Sequence, residues 1–162
     1  MMAVDSSLCS CGSKKKYRDC CEPYHKGLRK TCHSPLEVLK SRYSAYCHDD
    51  GEYVLSSWEE HFRPKVSAKK MIREIKSMKY TGLKIHGVVY TDEAGENAQI
   101  YYTVRYRVGT AFGESSSISN FVKKDGVWYY TDDVAKELVP FMTAAFKAES
   151  VSEEENKIPV QV

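Results

Sequence analysis

Apolar positions follow a helical period up to about residue 78 and a period of two from residue 81 to about residue 131. Leu36, Leu39, Tyr43 and Tyr46 recur at steps of three and four, which is one face of a helix. Ser34-Pro35-Leu36-Glu37 opens that helix: serine caps it, proline suits its first position, and Glu37 completes an S-x-x-E capping box. Asp49-Asp50-Gly51 is expected to end it. A second short helix is predicted over residues 52–60, with Val54, Leu55 and Trp58 inward, broken at Arg63-Pro64. Ser67 is the expected cap of a third helix over residues 68–78, with Met71, Ile72, Ile75 and Met78 as its core stripe.

The strands follow. Leu83, Ile85, Gly87 and Val89 are expected on one face of the first, alternating with Lys84, His86, Val88 and Tyr90. Residues 92–96 form a turn. The cleanest alternation is the second strand: Ala98, Ile100, Tyr102, Val104, Tyr106 and Val108 inward, with Gln99, Tyr101, Thr103, Arg105 and Arg107 outward. Residues 109–113 turn the chain into a serine-rich third strand over residues 114–123. Ile118 and Phe121 have opposite parity there, which suggests a bulge between them. Asp125-Gly126 is a strong hairpin signal before a fourth strand over residues 127–131.

Asp132 or Asp133 is expected to cap a last helix whose face is Val134, Leu138, Phe141 and Ala145, kinked or ended by Pro140. Residues 148–162 are acidic and unpatterned and read as a disordered tail. Helices followed by antiparallel strands define an α+β fold, with the helices on one face of a curved sheet.

Composition changes this picture little. With 28% charged and 42% hydrophobic residues in 162, the chain is an ordinary globular one, large enough for a core. No apolar run approaches the roughly 20 residues needed to span a bilayer, and the N-terminus lacks a basic, then apolar, leader, so a cytoplasmic protein is expected. Net charge is only +2, but residues 1–33 hold seven Lys/Arg against three acids.

The cysteines change it more. Four of six lie in Cys9-Ser10-Cys11-Gly12-Ser13-Lys14-Lys15-Lys16-Tyr17-Arg18-Asp19-Cys20-Cys21. Four soft thiolates in a tetrahedron suit one structural zinc, with no open position for chemistry. Lys14, Lys15, Lys16 and Arg18 would offset the negative charge of such a cluster. Residues 1–30 are too few to build a core without a metal staple. Cys32 and Cys47 read as reduced bystanders, since thiols outside the secretory route stay unpaired.

The thirteen-residue string resembles the SEC-C motif, which occurs in the C-terminal tail of the translocation ATPase SecA and in many small bacterial proteins. The motif has glycine where this chain has Lys14. By this resemblance the metal ligands are Cys9, Cys11, Cys20 and Cys21, with His25 as a spare. Further on, Ser34-Pro35 with Ser41-Arg42-Tyr43-Ser44-Ala45-Tyr46, the segment from Trp58 to Pro64, Gly82-Leu83, and the run from Ser119 through Phe121 to Trp128-Tyr129-Tyr130 resemble the YchJ family. That family joins a SEC-C motif to a domain like nuclear transport factor two, a cone of helices against a bent sheet. Residues 1–30 are then the zinc-binding motif, 31–147 the cone and 148–162 the tail. Many family members carry a second SEC-C motif at the C-terminus, but this chain has no cysteine after Cys47.

Two functions compete. The first is a non-enzymatic adaptor: a rigid, basic, zinc-stapled knob on an independent body, docking a protein or ribonucleoprotein through Lys14, Lys15, Lys16 and Arg18. SEC-C motifs in SecA contact other proteins, which favours this class. The second is a small-molecule enzyme or carrier using the cone, with Arg42, Tyr43, Tyr46, Trp58, Tyr102, Tyr106 and Trp128 around the pocket. No carboxylate or histidine is expected inside it; His61 and His86 are placed at a rim, and Arg42 is read as a structural ion pair or a stem packed on tyrosine rings, ahead of binding an anion. Direct RNA binding has one aromatic, Tyr17, in its favour.

Overall fold

The structure, a computed structural model, describes residues 8–28 and 32–148. The expected boundary near residue 30 and the tail beyond Ala148 lie outside the described residues. After the cysteine-bearing segment come α1 (Pro35–Cys47), α2 (Gly51–Ser57), α3 (Ala68–Ile75), β1 (Lys79–Tyr90), β2 (Asn97–Val108), β3 (Ala111–Lys124), β4 (Val127–Asp133) and α4 (Val139–Ala148). The strands form one antiparallel sheet in chain order.

Each of the first three helices starts where a short polar side chain takes an orphan amide. Ser34 accepts from Glu37 N–H at 3.2 Å, Asp50 from Tyr53 N–H at 3.0 Å, and Ser67 from Lys70 N–H at 3.1 Å. The capping box at α1 is only half made. The Glu37 carboxylate passes its own cap and accepts from His33 N–H at 2.8 Å and from the Tyr24 hydroxyl at 3.2 Å. Glu37 thereby ties α1 to the cysteine-bearing segment. Its carboxyl is pushed above the usual range by burial, against these hydrogen bonds.

Asp49-Asp50-Gly51 ends α1 and at once begins α2. That helix is shorter than expected, because the backbone turns extended at Trp58 and Glu59 N–H bonds the Tyr130 carbonyl at 2.8 Å. Likewise α3 stops at Ile75, since Lys79 already pairs with Arg107 in the sheet. The Asp125-Gly126 turn forms as expected, both residues with positive φ (51° and 81°), the twist a two-residue hairpin needs. Residues 109–113 do not form a long turn: Val108 pairs with Ala111, so Gly109-Thr110 alone reverses the chain and β3 begins early.

The main correction concerns the faces of the sheet. Helices α1 to α3 cover one face, against Ile85, Val88, Ala98, Ile100, Phe121, Trp128 and Tyr130. Helix α4 packs on the other, where Val139, Met142 and Phe146 meet Val89, Tyr101 and Ile118. Ile118 and Phe121 therefore differ in parity because they serve two cores. The β3 ladder to β2 is unbroken, and the irregularity lies in its pairing with β4 between Ser119 and Phe121. In β1 a register shift between Ile85 and Gly87 swaps the faces: Ile85 and Val88 serve the first core, Gly87 and Val89 the second. A Cβ on Gly87 would lie 3.2 Å from both the Phe146 Cβ and its carbonyl oxygen, so a glycine there lets α4 sit close.

Asp132 and Asp133 do not cap the last helix. They extend β4, and the chain makes one 3-10 turn (Lys136–Leu138) before α4. Pro140 then stands in the first turn of α4, where its missing N–H is harmless, and no kink follows. The later start rotates the helix, so Leu138 and Phe141 face outward, Phe141 with 84% of its surface exposed.

Burial of this second core sets a test. Phe146→Ala should destabilise the protein by about 3 kcal/mol, whereas Phe141→Ala should change stability by less than about 0.5 kcal/mol. Urea unfolding of both variants checks the orientation of α4.

Candidate metal centre and adjoining cavity

The cysteine-bearing segment folds back on itself because its backbone can turn left-handed twice. Gly12 has φ 88° and Lys14 φ 66°. The reversal lets Leu8 bridge to Lys16 and Cys9 N–H bond the Lys15 carbonyl at 2.6 Å. A 3-10 turn over Tyr17–Asp19 then delivers Cys20 and Cys21 to the same spot. All four sulfurs lie within 4.8 Å of one another, and all four cysteines are buried. Cys11 Sγ is 3.5 Å from Cys20 Sγ, which is 3.9 Å from Cys21 Sγ. A tetrahedron of thiolates about 2.3 Å from an ion has edges of about 3.8 Å. The donor set thus suits a tetrahedral metal ion. Among the described residues Cys32 and Cys47 form no disulfide.

Protons in the cluster are unevenly shared. Hydrogen bonds from Cys11 hold the Cys9 and Cys20 thiols below their ordinary range. Donating to Cys20 pushes the Cys11 thiol up, and donating to Cys11 pushes the Cys21 thiol up, with burial adding to both. Four thiolates together require a cation among them.

His25 is not a ligand. Its Nε2 donates to the Ser41 carbonyl at 2.9 Å and its Nδ1 accepts from the Tyr17 hydroxyl at 2.6 Å, so both ring nitrogens are taken. Burial lowers its proton affinity, consistent with that neutral tautomer. The Tyr17 ring stacks on His48 at 4.0 Å, which takes one of its faces.

The four sulfurs share one apolar core with Tyr24, Val38, Leu39, Ala45, Tyr53 and Val54. Under them lies Lys40, 2% exposed, its ammonium disfavoured by burial and favoured by the negative charge of Cys11, Cys20, Cys21 and Cys9. Lys14, Lys15, Lys16 and Arg18 are all exposed on the outer side of the knuckle. Sequence reasoning credited charge balance to these four and missed Lys40. Nothing in the sequence marks it, since the same helix also carries Glu37 and Arg42.

A second feature is a cavity of about 490 Å³ between α1 and the sheet. Arg42, Tyr43, Tyr46, Trp58, Tyr102 and Tyr106 line it, together with Tyr80, Tyr130, Asp133 and Lys136. Trp128 does not. It is buried in the main core, its backbone N–H bonded to the Cys32 carbonyl at 3.3 Å and its ring against Tyr90. Ser115, Ser117 and Ser119 floor the cavity; Ser117 pairs with Tyr102, and these small side chains leave the space open. The serine-rich third strand was visible in the sequence without its purpose. The lining also includes a carboxylate that sequence reasoning had placed in a helix cap: Asp133 accepts from Ser119 at 2.6 Å and from the Tyr130 hydroxyl at 2.9 Å. His61 is exposed beside Glu59, and His86 bonds Thr103 on the face away from the cavity.

An α+β cone with a four-cysteine metal segment packed on its first helix defines the class. Comparison with known proteins then places the chain. The family model described as the YchJ middle NTF2-like domain matches residues 34–133. A UPF0225 protein of Xanthomonas campestris pv. campestris is 32% identical over 125 residues, 76% of this chain and 92% of its own. A SEC-C motif-containing protein from Rhodopseudomonas palustris superposes with TM-score 0.69 at 25% identity, covering 80% of this chain and 98% of that one. Another from Psychrobacter arcticus has the same fold, with TM-score 0.68 at 21% identity over 81% and 84% of the two chains. The chain belongs to the YchJ family.

Two outcomes follow from the site. Lys40→Met should lower affinity for a divalent metal by roughly 10- to 100-fold, as loss of an outer-shell partner does; competition with a chromophoric chelator measures it. Lys14→Gly should stabilise the metal-loaded protein by about 1 kcal/mol by relieving a left-handed side chain, while Lys14→Ala should not; thermal unfolding separates the two.

Proposed function

We propose that this protein is a non-enzymatic, zinc-stapled interaction module that docks an acidic surface of a protein or ribonucleoprotein partner. The observation that carries the reading is the two-sidedness of the knuckle. Its sulfurs are wholly inward, while Lys14, Lys15, Lys16 and Arg18 stand in solvent on a short, doubly turned loop. Zinc is favoured because a closed shell of four thiolates at these separations suits a tetrahedral ion without redox chemistry. One such ion holds the loop shape and leaves the basic side chains presented together. Four cations on a rigid loop give orientation and on-rate more than raw affinity, so binding should weaken as salt rises. The reading places the protein in the cytoplasm, where its thiols stay reduced. Among the described residues no helix is long and apolar enough to cross a membrane.

The test is affinity capture with the full chain and a variant carrying Lys14, Lys15, Lys16 and Arg18→Glu, each with metal analysis of the eluate and with nuclease treatment. One zinc per chain in both proteins, with partners lost only from the variant, is the expected result. Partner sets that are identical for the two proteins would remove the knuckle from recognition. Nuclease-sensitive capture would identify the partner as a ribonucleoprotein.

A further inference from the structure

The cavity raises a question the metal knuckle does not answer: what satisfies Arg42. Its side chain is only 7% exposed and forms part of the cavity wall. Nη1 donates to the Val54 carbonyl at 3.3 Å and to Ser57 Oγ at 2.5 Å. The guanidinium carbon lies 3.9 Å from the Tyr130 ring centre, 4.6 Å from that of Trp58 and 5.9 Å from that of Tyr46. A guanidinium has five N–H donors in its plane, and among the described residues the Nε and Nη2 donors have no acceptor and no carboxylate pairs with the charge. A buried cation short of an anion is costly, and a fork of in-plane donors matches a carboxylate.

We propose that this cavity binds a small planar organic carboxylate, held at its anionic end by Arg42 and along its body by the tyrosine and tryptophan rings. The volume, about 490 Å³, falls within the range of about 300–1,000 Å³ usual for small-molecule sites. A monoanion is the matching charge. Lys136, the other cation of the lining, spends its three ammonium protons on Ser115 Oγ (2.8 Å), the Ser116 carbonyl (2.7 Å) and Ser117 Oγ (2.7 Å). Asp133 in the lining adds a negative charge that opposes a second one on the ligand. The rings of Tyr43, Tyr46, Tyr80 and Tyr102 in the lining favour an aromatic body over a branched aliphatic one.

The test uses the full chain and three probes with one ring system: 1-naphthoate, 1-naphthylmethanol and 1-naphthylmethylammonium. Titration followed by 1H–15N spectra should show saturable binding of the carboxylate, at least about tenfold tighter than the alcohol and with the ammonium weaker still. The shifts should centre on the Arg42 side-chain N–H and the amides of Tyr102, Ser117 and Ser119. Arg42→Gln should bring the affinity for the carboxylate down to about that for the alcohol. Because Arg42 is buried and its variant is open to misfolding, the ranking on the unaltered protein decides. Equal affinity for the three probes, shifts centred elsewhere, or no saturation by naphthoate up to about 10 mM would overturn the proposal.

Discussion

Helix α1 is buried on nearly every side, and the rest of the molecule answers to that constraint. From Glu37 to Ala45 every residue is buried, although the stretch includes a glutamate, a lysine, an arginine and two serines. An all-round apolar helix would satisfy such a position by packing alone. Here each polar group needs its own local partner. Glu37 takes the Tyr24 hydroxyl and the His33 amide. The Ser41 hydroxyl donates to the Glu37 carbonyl and accepts from Tyr53. The two cations, two residues apart and so about 200° apart around the helix, go opposite ways. Lys40 lies beneath the four sulfurs and Arg42 against the rings of the cavity. One turn of helix thus joins the metal centre to the cavity.

This arrangement changes what the cysteine knuckle is. As an isolated appendage it would carry its charge compensation on its own loop. In the structure the compensation comes from both sides: exposed cations on the loop and one buried lysine from the cone. The sulfurs are buried against Val38, Leu39 and Ala45, so the segment's inner surface is part of the main core. Tyr17 and His25 add a hydrogen-bonded link from the loop to the Ser41 carbonyl. Metal binding, where it fixes the loop, therefore also fixes one wall of α1.

Much of this was legible in the residues. Ser34 and Ser67 mark helix starts because short hydroxyls suit a cap. The alternation from Ala98 to Val108 reads directly as a strand, and four cysteines in thirteen residues read as one ligand set. What was not legible has a common physical origin. A strand's period of two separates its faces but does not say that both faces are covered. The pairing of Ile118 with α4, and of Phe121 with α1 to α3, follows only from knowing that α4 crosses to the far side. The register shift between Ile85 and Gly87 reverses the faces without any change in hydrophobicity. Asp133 has the chemistry of a cap, but its bonds to Ser119 and Tyr130 hold it in β4 instead. Lys40 looks like an ordinary surface charge until the packing of α1 is known.

The central claim is that the metal knuckle and the cone are stabilised through the same helix. Hydrogen exchange of the metal-loaded full chain, before and after removal of the ion with a chelator, tests it most directly. The account predicts that the amides of Val38 to Ala45 lose protection together with those of Cys9 to Cys21. Loss confined to Cys9 through Cys21, with α1 and the sheet as protected as before, would contradict it.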